Sequence, residues 1–308
     1  MINIRKILSD VFYSLFSSAF PLILLQLFIL PAVASSVSAE YNGLILTIIS
    51  LITIFSSAFG NSLNNARLLT EKEIGKDEKG DYNLLILFFS ILNVIFLLIA
   101  IRFLNLDVEY TFLIVSSSVV YMLIQYYIVY YRIDINYQKV LISNIFLCIG
   151  YIIGFFLFKK TEIWILIYFL GYVFSLLYIL YQNPLFKEPI KITKNFKKVV
   201  SVSSTLLLVT FIASLLNYID RLILFPILGG EMVSIYYSAS LIGKLGGMVV
   251  SPINSVVLSY IVKIKEIKMK QFLFVLVVLL ALIIVGYFLS VLVAKPILYI
   301  LYAQWASE

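Results

Sequence analysis

The sequence predicts an all-α protein that crosses a membrane several times. The 308-residue chain is 62% hydrophobic and only 13% charged, with a mean hydropathy of +1.06, whereas roughly 25% of the residues in a soluble domain are charged. It contains nine hydrophobic blocks, each long enough, at about 20 residues, to cross a bilayer as a helix. Lipid admits only helices and closed barrels, because every backbone polar group must be satisfied, and barrel strands are far shorter than these blocks. We therefore predict nine spanning helices.

The nine blocks are separated by short connections. In chain order they cover Val11–Ala34, Leu44–Ala66, Asn83–Ile101, Thr111–Tyr131, Val140–Phe158, Ile163–Tyr181, Val199–Leu228, Met232–Tyr260 and Phe272–Ala294. The first block is about twice as long as the apolar core of a secretory signal, which favours an uncleaved span. The two largest connections, 68–82 and 182–198, are too short to form a domain. Any chemistry is therefore expected among the helices.

Basic residues are distributed unevenly between alternate connections. Most of the 23 lysine and arginine residues lie on the side that holds the N-terminus, and few lie on the other. Those on the other side are Arg102, Lys159, Lys160 and Lys295. Because basic loops stay in the cytoplasm during insertion, the N-terminus is predicted to be cytoplasmic. The net charge of +7 is then mainly a topology signal, and no nucleic-acid partner is predicted.

Residue types that carry much catalytic chemistry are scarce. The chain has no histidine and one cysteine, Cys148, so histidine bases, Cys/His zinc sites and disulfides are excluded. We predict that the protein is not an enzyme and needs no cofactor. The 22 tyrosines are interpreted mainly as interfacial belts and lipid-facing surface.

A faint internal repeat divides the chain. A shift of about 195 residues lays the first block over the seventh, an arrangement found among transporters with parallel repeats. The predicted units are a six-helix lobe at 1–182, a cytoplasmic linker at 183–198 and a partial lobe at 199–308. The second copy has three blocks against six, so we expect either that the natural protein continues beyond Glu308 or that this product is truncated.

Polar side chains recur inside the blocks. In the seventh block Ser203, Thr210, Ser214, Asn217 and Arg221 share one helical face. Polar groups at bilayer depth are costly, and they generally face a cavity or one another. The side chains predicted to bind a substrate are Arg221, Lys244, Asn217, Asp220, Arg67, Arg132, Gln26, Asn61 and Gln125.

Two interpretations stay open for the charged members of this set. Asp220 and Arg221 either serve a cavity or neutralise neighbours on other helices. Arg67 and Arg132 either reach a cavity or act as positive-inside anchors. The set carries more cationic than anionic charge, so a cavity built from it suits an anionic ligand such as phosphate, whose oxygens pair with guanidinium.

Several segments resemble one family. Asn217–Leu224 contains an Asp-Arg pair followed by an apolar run, and Leu228–Ser240 contains a Leu-Gly turn and a tyrosine-rich helix start, with Ser234 where a glycine is usual. Two further segments, Phe59–Arg67 and Leu301–Ala306, are similar to short patterns, the second with Ala303 in place of a glycine. In these segments the chain resembles polysaccharide-biosynthesis flippases, the O-antigen flippase type, of the multidrug/oligosaccharidyl-lipid/polysaccharide (MOP) exporter superfamily.

The resemblance implies a MATE-like bundle of two lobes around a central cavity, here with six helices in the first lobe and about three in an incomplete second one. It implies a flippase that carries polyprenyl-diphosphate-linked oligosaccharide across the bacterial cytoplasmic membrane by alternating access. Arg221 and Lys244 would hold the diphosphate, while asparagine and serine side chains would meet the sugars. Asp220 would pair with the cations or carry a coupling proton, and coupling to sodium stays open.

Three alternatives remain beside the flippase. A multidrug cation antiporter of the same superfamily would favour buried carboxylates, and Asp220 is the deep one in this sequence. A membrane polysaccharide polymerase or ligase usually carries a sizeable outer loop, which this sequence lacks. A scaffold subunit would not need the polar faces that recur on several helices.

We expect Arg221→Ala to abolish flipping without loss of expression, because it removes a cation proposed to hold the diphosphate. Surface glycan and membrane-fraction protein level are the two measurements. Normal surface glycan in that variant would remove Arg221 from the mechanism.

Overall fold

The computed structural model describes residues 4–71 and 80–261, with a few isolated positions further on; in 242–261 it describes the backbone alone. All regular structure in this part of the chain is helical. The α-helices are α1 (Ile4–Ile23), α2 (Leu30–Ala34), α3 (Ala39–Thr70), α4 (Asp81–Phe103), α5 (Thr111–Tyr127), α6 (Val129–Ile133), α7 (Tyr137–Thr161), α8 (Ile165–Gln182) and α9 (Phe196–Ile261).

Seven helical segments among the described residues are long and apolar enough to span a membrane. They are Phe12–Ala34, Ala39–Thr70, Asp81–Phe103, Thr111–Ile133, Tyr137–Thr161, Ile165–Gln182 and Phe196–Leu241. The all-α, multi-pass membrane architecture predicted from the sequence is thus confirmed. The first six predicted blocks coincide with the first six segments to within a few residues at most ends.

The seventh and eighth predicted blocks lie in one long helix, α9. Its backbone breaks at Gly229, where φ is 82° and ψ is 176°. Only glycine adopts such angles without steric strain. The kink lies at the Leu-Gly turn predicted from the sequence. The ninth block, Phe272–Ala294, lies outside the continuously described residues.

The first span is interrupted by an irregular turn. A π-helical segment, Leu24–Ile29, connects α1 to α2. Pro21 lies just before it and Pro31 just after it, and a proline inside a helix removes one backbone hydrogen bond. Single π-helical turns inside α-helices occur frequently at functional sites.

Helix α3 is the central element of the bundle. It packs against α4, α5 and α9, and most of its side chains are buried. Its first turn is capped by Ser38, whose hydroxyl accepts a hydrogen bond from the Tyr41 backbone at 3.2 Å. The other helices surround it: α7 packs against α1 and α8, and α5 also packs against α8.

The start of α3 is joined to the kink of α9 by a carboxylate. Glu40 Oε1 accepts the backbone N–H of Gly230, and Oε2 accepts that of Glu231, each at 2.9 Å. These amides begin the helical turn after the kink, where the helix dipole favours a negative charge. Ser234 Oγ also donates to the Ala39 carbonyl at 2.7 Å. We call this end of the bundle the closed end.

The two backbones meet at the closed end with no room for side chains. A Cβ atom added to Gly43 would overlap the Gly230 carbonyl group, and one added to Gly230 would overlap the Glu40 carbonyl group. Asn42 Nδ2 donates to Ser234 Oγ at 3.0 Å beside this contact. The opposite end, where α3 ends at Thr70, α6 ends at Ile133 and α8 ends at Gln182, is called the cavity end below.

We expect Glu40→Ala to lower the stability of the protein by about 1–2 kcal/mol, the usual cost of losing a helix cap. The midpoint of thermal unfolding in detergent measures this change. Asp107→Ala, which alters an exposed carboxylate in the nearby α4–α5 connection, is the control. Equal midpoints for the two variants would show that the Glu40 contact does not hold the closed end together.

Candidate functional site

A cavity of about 720 Å³ lies between α1, α3, α5, α7 and α9. Its lining residues come mainly from the first half of the first span and of α7, and from the second half of α3 and α5. Since these halves all lie toward the cavity end, the space belongs to that end of the bundle. The contact between Glu40 and Gly230 separates it from the opposite end.

The described wall of the cavity is polar and almost uncharged. It holds six side-chain amides and, beside them, serine, threonine and tyrosine hydroxyls. The amides are those of Asn61, Asn64, Asn65, Gln125, Asn144 and Asn217. Among the described lining residues Arg132 carries the one formal charge, and none is a carboxylate. The wall therefore offers many neutral hydrogen-bond donors and acceptors around a single cation.

Arg132 is held in place by neutral groups. Its side chain is 6% exposed, and its Nη1 donates to the amide oxygens of Asn64 and, at 2.9 Å, Asn65. A side-chain hydrogen bond joins it to Tyr137. Asn64 is itself fixed, since its Nδ2 donates to the Gln125 carbonyl at 2.6 Å. These bonds orient the guanidinium group at the cavity wall.

A cluster of tyrosines extends from the cavity wall into the bundle. Tyr121 stacks on Tyr172 with ring centroids 4.6 Å apart, and Tyr151 meets Tyr168 edge-on at 5.9 Å. Side-chain hydrogen bonds link the Tyr121 phenol to Ser57 and Gln125. The prediction that the tyrosines are mainly interfacial did not include this cluster. The spacing of Tyr168 and Tyr172, four residues apart on one helical face, is the signal that could have indicated it.

Arg67, predicted as a substrate residue or an anchor, does not line the cavity. It is 2% exposed, and its Nη1 and Nη2 donate to the two carboxylate oxygens of Glu188 at 2.9 and 2.7 Å. Nη1 also donates to the Tyr126 hydroxyl at 2.7 Å, and the guanidinium lies 5.2 Å from the Tyr82 ring. The side chain thus joins α3 to the segment that connects α8 and α9.

Arg221 is buried between helices, outside the set of lining residues. It is 4% exposed, and its Nη1 donates to Ser50 Oγ at 2.9 Å. Its guanidinium lies 4.7 Å from the ring of Tyr237 and 5.4 Å from that of Tyr218. Half-buried Asp220 accepts the Arg221 backbone N–H at 2.9 Å.

The nine predicted site residues therefore separate into groups. Asn61, Gln125, Arg132 and Asn217 meet at the cavity. Asp220, Arg221, Arg67 and Gln26 lie elsewhere, the last in the π-helical turn of the first span. The side chain of Lys244 lies outside the described residues. The binding roles assigned to all nine stay predictions.

Comparison with known proteins yields one informative fold match. No family model and no curated protein matches the sequence. The fold is similar to the solved structure of a multidrug resistance MATE family transporter of the MOP superfamily in an inward-facing conformation, with a TM-score of 0.54 and 13% sequence identity. The match covers 100% of this chain and 76% of that one. This likeness confirms the MATE-like helical fold that the sequence predicted.

We expect Arg67→Ala to destabilise the protein by about 3–5 kcal/mol, because it leaves the largely buried Glu188 carboxylate without its guanidinium partner. Combining Arg67→Met with Glu188→Leu removes both charges and should recover most of that loss. Thermal unfolding of the single and double variants in detergent measures the difference. A double variant as unstable as the single one would contradict the pairing.

Proposed function

We propose that the protein moves polyprenyl-diphosphate-linked oligosaccharide across the bacterial cytoplasmic membrane by alternating access. The cavity end would face the cytoplasm, in agreement with the prediction of a cytoplasmic N-terminus. The MATE-like fold supports membrane transport as the general activity, because the similar solved structure is that of a transporter. The charge and polarity of the cavity support the choice of substrate.

The choice of substrate rests on the charge of the cavity: among its described lining residues Arg132 is a cation and none is a carboxylate. A cationic drug entering this cavity would lose hydration without gaining an ion pair, which is costly in a medium of low dielectric constant. A phosphate group would gain charge-assisted hydrogen bonds, and guanidinium presents its donors in a fork that matches phosphate oxygens. The wall therefore favours an anionic substrate.

The rest of the wall suits a sugar. Saccharide hydroxyls both donate and accept hydrogen bonds, and the side-chain amides around Arg132 do the same. Tyr121 and Tyr151 add phenol groups and flat apolar rings to the same surface. The volume of about 720 Å³ falls within the roughly 300–1,000 Å³ of ligand pockets. The polyprenyl tail would remain in lipid beside the bundle while the head group enters.

Transport requires the closed end to open. In the proposed cycle the head group binds near Arg132, and the bonds from Glu40 to Gly230 and Glu231 then break as the cavity end closes. A coupling proton or sodium ion would supply the driving force, and Asp220 is the proposed carrier of a proton. Arg221 and Lys244 remain proposed diphosphate ligands for a conformation other than this one, in which Arg221 is engaged with Ser50.

A multidrug antiporter is the second candidate function. The likeness to a solved transporter favours it, since that protein is a multidrug resistance transporter. The two candidates differ in the charge of the substrate. An antiporter for cationic drugs would be expected to expose an acidic group in its cavity, and the described wall exposes a basic one.

We expect deletion of the complete gene to cause finished polyprenyl-diphosphate oligosaccharide to accumulate, with loss of surface polysaccharide. Arg132→Ala should fail to complement the deletion, because losing charge-assisted hydrogen bonds of about 1.5–3 kcal/mol lowers substrate affinity roughly 10- to 100-fold. Arg132→Lys should complement in part, since it keeps the charge but not the fork. Lipid extraction and chromatography of the glycan pool measure these outcomes.

Arg102→Ala is the matched control, because Arg102 is exposed and lies toward the closed end. It should complement fully. An unchanged glycan pool together with heightened sensitivity to cationic drugs would overturn the flippase and support the antiporter.

A further inference from the structure

The segment 183–198 between α8 and α9 is fixed against the first six spans. At its start Asn183 Nδ2 donates to the Tyr127 carbonyl at 2.9 Å. Further on, Asn83 Nδ2 donates to the carbonyls of Leu185 at 3.3 Å and Glu188 at 2.8 Å. We call this segment the strap.

The second half of the strap is held in the same way. The Glu188 carboxylate accepts two hydrogen bonds from Arg67. Asp81 accepts both the backbone N–H of Thr193 at 2.7 Å and its hydroxyl at 2.5 Å. Because these side chains belong to α3 and α4, the strap is fixed at points along its length rather than only at its ends.

These bonds give the strap two different faces. Asn183 and Leu185 are buried on the inner face. On the outer face Phe186 is 56% exposed, Ile190 is 59% exposed and Ile192 is 68% exposed. Because the backbone of the strap is fixed, these large apolar side chains cannot turn inward and become buried against the bundle.

The strap is also strongly basic. The five lysines of the strap are all exposed: Lys187, Lys191, Lys194, Lys197 and Lys198. Its one acidic residue, Glu188, is bonded to Arg67. Lysines interleaved with outward apolar side chains are the pattern of segments that lie on anionic membrane surfaces.

The position of the strap agrees with such a surface. It starts directly after α8, which ends at Gln182, and finishes in the first turn of α9, which begins at Phe196. Both helices are long and apolar enough to span a membrane, so the strap lies at the level of the head groups on the cavity end.

We propose that the strap docks on anionic phospholipid head groups of the adjoining leaflet. Phe186, Ile190 and Ile192 enter the boundary between head groups and acyl chains, and the lysines contact lipid phosphates. The first six spans are thereby attached to the leaflet surface through α3 and α4. This inference does not depend on the transported substrate.

The test places an environment-sensitive fluorophore on the strap of the full chain in nanodiscs. Ile190→Cys is labelled in a Cys148→Ala background, since Cys148 is the one native cysteine. The nanodiscs contain phosphatidylcholine with or without phosphatidylglycerol. Asp134→Cys, exposed at the same end in the α6–α7 connection, is the matched control.

Docking predicts a blue shift at position 190 and quenching by brominated lipid, both stronger with phosphatidylglycerol. Replacing the five lysines with glutamine, or adding salt to the unchanged strap, should remove the dependence on phosphatidylglycerol. The label at position 134 should respond to neither. A label at position 190 that reports water in both lipid compositions would overturn the proposal, as would a lipid dependence that survives both treatments.

Discussion

The bonds of Glu40 with the backbone of Gly230 and Glu231 close one end of the helix bundle and leave the cavity at the other. They join the start of α3 to the kink of α9, two places about 190 residues apart in the chain. The kink makes the contact possible, because the positive φ of Gly229 leaves the next amides free to meet a carboxylate. With this end closed, the polar wall formed by α1, α3, α5, α7 and α9 is confined to the other end. The position of the cavity and its proposed direction of access both depend on this closure.

The spans could be predicted because their signal is local. Hydrophobic length and the cost of exposed backbone in lipid fix where each helix crosses, and the first six segments agree with the predicted blocks. The irregular parts of the helices were harder to predict from the sequence. The turn at Gly229 was expected from its sequence, but the π-helical segment Leu24–Ile29 was not, since no residue type specifies it. The pairing of Glu40 with α9 depends on long-range packing that composition does not encode.

The candidate site was predictable only in part for the same reason. Periodicity places side chains on one face of a helix but does not say what that face meets. Arg67 and Arg132 both follow polar faces toward the cavity end, yet one meets Glu188 and the other meets Asn64 and Asn65. Glu188 lies 121 residues from Arg67, so the sequence gives no reason to pair them. The two guanidinium groups therefore serve different places: that of Arg67 is bonded to Glu188 of the strap, and that of Arg132 lies at the described wall of the cavity.

The strap has a consequence for how the protein is made. The side chains that hold it belong to Arg67, Asp81 and Asn83, and all of them precede the strap in the chain. Synthesis proceeds from the N-terminus, and early segments can assemble before later ones are complete. The strap can therefore be fastened, and the buried charge of Arg67 neutralised, before α9 leaves the ribosome. Helix α9 would then pack on the first six spans with the strap already bound to them.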